Sequence, residues 1–437
     1  MKKYDKYKDT NIEWLGEIPE NWDLTKFRWL GDFNKNLVKD KVDNFKVLSL
    51  TIKGVIQRDL DSNYGKFPTS FSTYQLVKPD DIVICLFDMD VTPRIVGISD
   101  QEGIISPAYT IMSTKETVDA NYIFYYLLEQ DRNKSLLYNG TGLRRTLTRT
   151  RFANLPTIIP PLPEQTKISS YLDNKTSLID KLINNNKKLI KLLEEKRTAL
   201  INKVITKGLD PNVKMKDSGI EWIGEIPEHW EVMRLSYCSF IGSGTTPKSD
   251  DEKYYQSGDV NWLITGDLKS KYITNTSRKI TEKALEDYST LKEYPIDSVV
   301  IAMYGATIGA VSILKVCSTV NQACAVITPR YGLLYEFLYY FLLGNKEKLL
   351  SDSVGGGQPN VSQSILKSQI IAFPSNNEQK EIIILLNERL ALIEKDIEIF
   401  NKENKLLKEY RQSLISNVVT GKVDVRERNN IKEKTND

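Results

Sequence analysis

The stretch KDTNIEWLGEIPENW (residues 8–22) recurs 208 residues later as KDSGIEWIGEIPEHW (residues 216–230), with 11 of 15 positions identical. A second repeat relates residues 164–206 to residues 378–420 at an offset of 214, without a gap and with 18 of 43 positions identical. This spacing is far longer than the roughly 20 to 50 residues of solenoid repeats. The sequence therefore predicts two domain-sized units, each a globular segment followed by a long helix, related by a pseudo-two-fold axis.

The globular segment of each unit is predicted to be a mixed α/β domain. Short apolar runs bounded by Gly, Pro and Asp predict strands, and each series ends in a helix with an aromatic face. In the first unit the strands are predicted at 46–52, 81–87 and 109–114 and the helix at 120–130; in the second they are predicted at 260–266, 297–305 and 322–329 and the helix at 335–345. Between the two flanking repeats the sequences diverge, so one scaffold is expected to carry two different surfaces.

The second repeat has the pattern of a long amphipathic helix. Its first copy begins at PPLPEQ (residues 160–165) and ends near Gly208, with Pro211 beyond. A helix of this length measures about 65 Å, too long for one small domain to bury. Its apolar face is also too extensive to remain in water. We expect the two copies to bury each other as an antiparallel coiled coil; the alternative is that each helix packs only on its own domain.

These features predict an α+β fold with the following parts. They are a first domain (1–155), a long helix (160–207), a second domain (208–372), a second long helix (376–421) and a charged, disordered tail (426–437).

Composition favours a cytoplasmic protein without a membrane segment. No apolar run reaches the 18 or so residues of a membrane span, and the N-terminus MKKYDKYKDT lacks the apolar core of a secretory signal. The cysteines form no CxxC pair and are expected to be reduced and buried: Cys85, Cys238, Cys317 and Cys324. With His229 as the single histidine, the sequence does not indicate a zinc site.

One segment is strongly basic although the net charge is only +3. Residues 132–151 hold six basic side chains and no acid, and include GTGLRRTLTRTR. Guanidinium groups, hydroxyls and glycine-exposed N–H groups can bind phosphates. The alternative is a solvated surface loop. The candidate DNA contacts are Arg144, Arg145, Arg149 and Arg151, with Gly140 and Gly142 shaping the loop.

The second unit offers polar rather than basic candidates. In GGGQPNVSQS, the side chains of Gln358, Asn360 and Gln363 could read adenine edges. In GSGTTPKS (residues 242–249), Thr245, Thr246 and Lys248 could bind phosphate. Either segment could instead be an ordinary surface loop, and Tyr304-Gly305 is interpreted as a structural turn.

Motifs for catalysis are missing from the sequence. GSGTTPKS is not a phosphate-binding P-loop, because Pro247 replaces the required glycine and lacks an N–H donor. No GxGxxG follows a predicted strand, and Pro160-Pro161-Leu162 lacks the flanking residues of an amino-methyltransferase site. The single histidine does not favour a Ser-His-Asp triad. The sequence therefore indicates a binding protein with no cofactor of its own.

The order of these features resembles the DNA specificity (S) subunits of type I restriction–modification enzymes, from about Lys8 to Val425. IGSGTTPKS, VNWLITGDL and VVIAMYGATIG resemble one class of target recognition domain, and PDDIVICLFDMD with GIISPAYTIM resembles another. The resemblance implies that each target recognition domain reads half of a bipartite double-stranded DNA site and that the helices set the spacer. It also implies that two modification subunits methylate adenine and that restriction subunits join them. S-adenosylmethionine, ATP and Mg would then belong to those partners.

Two other readings remain open from the sequence alone. The chain could be a coiled-coil scaffold or inhibitor that binds only protein, or the detached recognition half of a fused restriction–methyltransferase. The repeated tryptophans and prolines are identical in both copies, whereas residues that read different half-sites should differ. We therefore interpret this set as packing anchors: Trp14, Trp22, Trp222, Trp230, Pro19 and Pro227.

Overall fold

The computed structural model describes residues 2–12, 15–33, 35–39, 42–59, 70–220, 223–352 and 360–427. The chain divides into two compact units. Unit 1 comprises residues 1–186 and 402–437, and unit 2 comprises residues 187–401. Each unit therefore contains one globular segment together with half of each long helix.

The elements of the first repeat follow the predicted order. The strands are β1 (Tyr7–Asp9), β2 (Glu17–Pro19), β3 (Asp23–Lys26), β4 (Gly31–Asp32), β5 (Leu48–Thr51), β6 (Gly54–Gln57), β7 (Gln75–Val77), β8 (Ile82–Ile84), β9 (Val96–Ile98), β10 (Gly103–Ile105), β11 (Thr110–Thr114) and β12 (Pro156–Ile159). The helices are α1 (Phe27–Leu30), α2 (Ala120–Arg132), α3 (Arg149–Ala153) and α4 (Leu162–Lys207).

The second repeat has a similar series. The strands are β13 (Met215–Asp217), β14 (Glu225–Pro227), β15 (Glu231–Arg234), β16 (Ser239–Ser243), β17 (Val260–Leu263), β18 (Tyr272–Ile273), β19 (Arg278–Ile280), β20 (Val299–Ala302), β21 (Val311–Leu314), β22 (Thr319–Val320), β23 (Cys324–Pro329) and β24 (Ile370–Phe373). The helices are α5 (Leu235–Cys238), α6 (Glu282–Asp287), α7 (Tyr335–Gly344), α8 (Lys346–Ser351), α9 (Gln363–Ser368) and α10 (Asn376–Val419). Each predicted strand and helix contains an observed element, so these predictions are confirmed.

Part of the sheet pairing is the same in both units. Unit 1 has a sheet of order β4-β11-β8-β9, and unit 2 has the larger sheet β16-β23-β20-β21-β18. In both, the strand that follows the tryptophan motif pairs with the strand that precedes the long helix: β3 with β12 and β15 with β24. These short ladders hold the start of each globular segment next to its end, beside the long helix.

Each core is centred on the aromatic helix that the sequence predicts. In unit 1, α2 buries Tyr122 and Tyr126 against Phe27 and the start of α4. In unit 2, α7 buries Phe337 and Phe341, and Phe337 lies edge-on to Trp230. Burying side chains of this size removes large apolar surfaces from water and stabilises each core by about 2 to 3 kcal/mol per residue.

One hydrogen-bond pattern joins each globular segment to its helix. The indole Nε1 of Trp22 donates to Glu164 in the first turn of α4 (2.9 Å), and Trp230 donates to Glu378 in α10 (3.1 Å). Both indoles are almost completely buried. The packing-anchor prediction is therefore confirmed for Trp22 and Trp230; Trp14 and Trp222 lie outside the described residues.

The glutamine that follows each of these glutamates makes a second repeated contact. The amide of Gln165 donates to the Pro160 carbonyl and accepts from the Asp119 N–H. Gln379 likewise donates to the Pro374 carbonyl and accepts from the Leu334 N–H. The repeated Glu-Gln pair thus bonds backbone groups at the start of each long helix to the globular segment.

The two long helices contact each other within both units. In unit 1, Asn186 of α4 bonds to Asn404 of α10 (3.2 Å), and Asp180 lies 3.3 Å from Arg411. Moving backward along α4 corresponds to moving forward along α10, so this contact is antiparallel. In unit 2, Arg197 pairs with Glu394 at 3.5 Å. The helices bury each other as predicted, and the alternative in which each packs only on its own domain is wrong; supercoiling and the two-fold relation stay predictions.

The helix ends agree with the sequence signals. Gly208 and Gly421 have φ angles of +71° and +73°, in the left-handed region expected at a helix C-cap. A Cβ at Gly421 would lie 2.4 Å from Pro19 Cδ. Glycine is therefore required there for both conformation and close approach.

One prediction needs correction. Cys85, Cys238 and Cys324 are buried, and burial raises the pKa of Cys238 to about 11 and that of Cys324 to about 12, but Cys317 is exposed just before β22. Arg426 bonds to Asp424 (2.8 Å); residues 428–437 lie outside the described part of the chain, so the disordered tail stays a prediction. Across the described residues, no helix is both long and apolar enough to cross a membrane.

Candidate nucleic-acid interface

The basic segment of unit 1 forms a tight hairpin, which we call loop 1 (residues 140–148). Thr141 and Thr146 exchange backbone hydrogen bonds of 2.9 and 3.0 Å. The turn between them uses positive φ angles at Gly142 (+76°) and Arg145 (+43°). A Cβ at Gly140 would lie 3.1 Å from the Arg145 backbone, so both glycines allow this tight conformation.

Loop 1 and the helix α3 that follows it present the predicted arginines to solvent. Arg144, Arg145, Arg149 and Arg151 are all exposed. Arg144 lies 3.6 Å from Asp88, and Arg149 donates to the Phe33 carbonyl (2.8 Å). The loop is anchored by Leu147, which is buried and donates its N–H to the Leu86 carbonyl (2.7 Å). The arrangement places guanidinium forks on a fixed support, which suits phosphate or guanine recognition.

The predicted polar candidates of unit 2 lie at the start of α9. Gln363 is the first residue of this helix, and its amide donates to the Ser243 hydroxyl at the end of β16 (2.8 Å). Val361 is buried and donates its N–H to the Met303 carbonyl (2.8 Å). Asn360 is exposed beside them, whereas Gln358 lies outside the described residues.

The GSGTTPKS segment lies next to Gln363 through Ser243. Its backbone is fixed, because the Trp262 indole donates to the Thr245 carbonyl (3.2 Å) and the Lys248 N–H donates to the Tyr288 hydroxyl (3.0 Å). The hydroxyl of Thr246 already donates to Gln322 (2.5 Å). Of the predicted phosphate ligands, Lys248 is the more exposed, and its ammonium lies 3.7 Å from Asp250.

A buried phenol supports the start of this segment. Tyr294 donates its hydroxyl proton to the Ser243 carbonyl (2.9 Å), and burial raises its pKa to about 12. It therefore remains a neutral donor at physiological pH. The nearby turn at Gly305 has a φ of +86°, and its carbonyl accepts from the Ile308 N–H, which confirms the structural interpretation of Tyr304-Gly305.

The candidate loops of the two units have the same local construction. Leu147 and Val361, Thr148 and Ser362, and Arg149 and Gln363 are each 214 residues apart. The first pair anchors the loop to the end of a central strand, and the hydroxyls of the second pair cap α3 and α9 by accepting from Arg151 N and Ile365 N. The third pair begins each helix. Equivalent backbones therefore carry a guanidinium in unit 1 and a carboxamide in unit 2.

Sequence reasoning missed the residues that hold these side chains. Asp88, Phe33, Ser243 and Gln322 position Arg144, Arg149, Gln363 and Thr246, respectively. Gln322 follows Asn321 in a stretch that the sequence marks only as a strand. No sequence signal identifies the Phe33 carbonyl, because a backbone acceptor carries no residue preference.

Comparisons with known proteins agree with this architecture. The profile of the type I restriction modification DNA specificity domain matches residues 96–194 and 227–408. The chain is 25% identical to the type I restriction enzyme MjaVIII specificity subunit of Methanocaldococcus jannaschii, over 97% of this chain and 98% of that protein. It is 33% identical to the MjaIX specificity subunit of the same organism over 45% of each chain.

Solved structures share the fold. A chain from a study of complex assembly and conformational transition in the type I R-M system gives a TM-score of 0.71 at 14% identity, covering 93% of this chain and 99% of that one. The HsdS subunit from Thermoanaerobacter tengcongensis gives 0.54 at 15% identity, covering 93% and 98%. The duplicated architecture, the paired long helices and these matches together show that the chain belongs to the family of type I restriction–modification DNA specificity subunits.

Proposed function

We propose that this specificity subunit reads a bipartite DNA site, with unit 1 recognising one half and unit 2 the other. The observation that carries the proposal is the equivalence of Arg149 and Gln363. Both begin a capped helix on the same scaffold, but arginine favours guanine and glutamine favours adenine in the major groove. Equivalent helices that carry different side chains would let the two units read half-sites of different sequence.

The remaining candidates divide into two roles. In unit 1, Arg144 and Arg145 at the tip of loop 1 bind phosphate, and Arg151 on α3 binds the DNA backbone. In unit 2, Lys248 binds phosphate, with Thr245 and Thr246 shaping its segment, while Asn360 and Gln358 contact base edges. Phosphate contacts add salt-dependent affinity, whereas base contacts provide discrimination.

The long helices carry a repeated apolar surface for partner proteins. Leu178 and Leu392 occupy equivalent positions, as do Leu192 and Leu406, and all four side chains are about half exposed. On each helix the two leucines are 14 residues, or about four turns, apart and so share a face. Two equivalent surfaces suit two copies of a modification subunit, to which restriction subunits add. The fixed length of the helices sets the spacer between half-sites.

The chemistry belongs to those partners in this proposal. The chain itself is non-catalytic, and S-adenosylmethionine, ATP and Mg act in the modification and restriction subunits. The rival reading, a coiled-coil scaffold or inhibitor without DNA readout, is less favoured, since the family match includes both globular segments as well as the helices.

The test is adenine-methylation profiling of host DNA by long-read sequencing, with and without the gene for this chain. We expect a bipartite methylated motif that disappears on deletion and returns on complementation. Complementation with Gln363→Ala should relax one half of the motif and leave the other half intact. An unchanged methylation pattern, with the modification subunit expressed and active, would refute the proposal.

A further inference from the structure

An exposed aromatic side chain occurs at the same place in both units. Trp29 on α1 is 58% exposed, and Tyr237, 208 residues later on α5, is 67% exposed. Arg28 lies over the Trp29 ring, with its guanidinium carbon 4.8 Å from the ring centroid, and most of the indole stays open to solvent. Tryptophan and tyrosine are enriched at protein interfaces. Not every exposed apolar residue has such a counterpart: Ile296 is 54% exposed ahead of β20, but the corresponding residue ahead of β8 is Pro79.

A basic residue accompanies each aromatic residue. Lys115 directly follows β11, and its N–H donates to the Leu30 carbonyl (3.0 Å). Arg330 directly follows β23, and its N–H donates to the Cys238 carbonyl (2.7 Å). Leu30 and Cys238 end the helices that carry Trp29 and Tyr237, so the backbone holds each basic residue in the same position relative to its aromatic neighbour. Both basic side chains are exposed.

The surface in unit 2 is concave. Tyr237 and Arg330 line one groove of about 630 Å³ together with Glu231 and Tyr331. In unit 1 the position of Glu231 is occupied by Asp23, which is also exposed. Each unit thus combines an aromatic residue, a cation and an acid at equivalent positions.

This combination favours protein over DNA as the ligand. Tryptophan, tyrosine and arginine are the residues that contribute most to protein–protein affinity. The acid in each unit weakens the attraction of this surface for phosphate. A protein surface can instead complement both charges. The aromatic, basic and acidic residues are preserved in both units, whereas surfaces that read different half-sites should diverge. This preservation indicates one kind of partner that binds twice.

We propose that Trp29 with Lys115, and Tyr237 with Arg330, form two equivalent docking surfaces, each for one copy of the modification subunit. The partner surface offers an apolar socket for the aromatic ring beside a carboxylate for the cation. The inference rests on the proposed function, in which two such subunits assemble on the chain. It adds a contact on each globular segment to the contact on the long helices.

The test measures how many modification subunits bind the full-length chain, by native mass spectrometry and titration calorimetry. We expect two subunits on the wild type. Trp29→Ser or Tyr237→Ser should each weaken one of the two sites by about tenfold or more, the effect of losing an interface hot spot. Trp29→Tyr, which copies unit 2 into unit 1, should retain both sites. Lys115→Glu and Arg330→Glu should weaken one site each, while Lys115→Arg should not.

Ile296→Ser is the matched control, because it removes an exposed apolar side chain of unit 2 outside the repeated surface. Equal affinity of wild type, Trp29→Ser and Tyr237→Ser for two subunits would overturn the inference. The inference would also be overturned if these variants still bound two subunits but lost affinity for all DNA sequences alike. That result would assign the surface to DNA. Failure of the wild-type assembly to prefer any bipartite DNA site would refute the proposed function but leave the stoichiometry result standing.

Discussion

Units 1 and 2 agree where they meet the long helices and differ where they face their candidate ligands. Trp22 and Trp230 donate to equivalent glutamates, and Asp180–Arg411 and Glu394–Arg197 are equivalent ion pairs between the helices. Loop 1, by contrast, is a basic hairpin, whereas its counterpart in unit 2 begins with a glycine run outside the described residues. The contact between each globular segment and its long helix, which we call the joint, is therefore repeated in both units. The candidate ligand-binding surface is different in each.

The joint itself is not identical in strength. Glu164 is buried and accepts from the Tyr4 hydroxyl (2.6 Å), from Trp22 and from Asn21 (2.8 Å). Glu378 is 24% exposed and contacts Trp230 and His229. The additional tyrosine comes from the N-terminal segment of unit 1, and residue 212, at the corresponding place in the second repeat, is an asparagine. The same repeat thus yields a more fully enclosed joint in unit 1.

The largest effect should come from removing the indole that both joints share. Trp22→Ala should destabilise unit 1 by about 3 to 5 kcal/mol, because it opens a large cavity beside Tyr4 and Tyr122. Trp230→Ala should do the same to unit 2. Hydrogen exchange measured separately on α2 and α7 checks this. If either substitution loosened both helices equally, the units would not be independent in the way that their separate cores suggest.

A smaller and unequal effect should follow from removing the two glutamates. Glu164→Ala leaves three donors without an acceptor and should cost about 3 kcal/mol, whereas Glu378→Ala should cost about 1 to 2 kcal/mol. Burial, and next the contact with Glu164, raise the pKa of Tyr4, so its hydroxyl remains a donor throughout the usual pH range. Denaturant unfolding monitored by hydrogen exchange gives both values.

His229→Asn provides the control for that comparison, since it converts the unit 2 contact into the Asn21–Glu164 type. It should change stability by less than about 1 kcal/mol. Equal losses for Glu164→Ala and Glu378→Ala would show that the additional tyrosine contributes nothing.

Exchanging the first residues of α3 and α9 should alter specificity rather than stability. Arg149→Gln and Gln363→Arg should each change the preferred base in one half-site, with discrimination altered by about 1 to 3 kcal/mol, which corresponds to about 5-fold to 150-fold. Binding of the assembled methyltransferase to a randomised bipartite library measures this. Arg144→Gln is the comparison; as a phosphate contact it should weaken all sequences alike and lower the salt dependence. If Arg149→Gln weakened binding to all sequences alike, Arg149 would be a contact to the DNA phosphates and not to a base.

The smallest effect should come from removing the Glu336 carboxylate of unit 2, and it should appear at acidic pH. Burial would raise the pKa of Glu336, but bonds from Tyr272 and Lys271 outweigh it, so the pKa lies below its usual value. A depressed folded pKa stabilises the fold above the unfolded value of about 4.3, and this stabilisation is lost as the pH falls through the folded pKa. The corresponding residue of unit 1 is Tyr122, which carries no carboxylate.

We expect Glu336→Gln to remove less than about 1 kcal/mol at pH 7 and to flatten the stability profile of unit 2 below pH 4. Thermal unfolding between pH 3 and 7 checks this, with hydrogen exchange in unit 1 as the internal reference. An unaltered acid profile in the variant would show that other carboxylates account for the dependence.

Much of the architecture could be predicted because it rests on local patterns. Apolar residues at helical spacing and a glycine after each C-terminus predicted α4 and α10 nearly to the residue. The exposure of Arg144 and Arg145 also followed from composition, since a run of cations without acids cannot be buried. Cys317 was misjudged because burial of a cysteine depends on the segment that carries it, and that segment has no distinct signature.

The sequence by itself determined the duplication, the element order, the paired helices and the family, because each is written in periodicity and in repeated residues. Only the tertiary structure decided which distant groups meet: Trp22 with Glu164, Arg149 with the Phe33 carbonyl, and Lys115 with the helix that carries Trp29. These pairs are separated by tens to more than a hundred residues, and hydrogen bonds to backbone carbonyls impose no choice of residue on the acceptor. Contacts with backbone carbonyls therefore leave no pattern in the chain, although one of them positions Arg149.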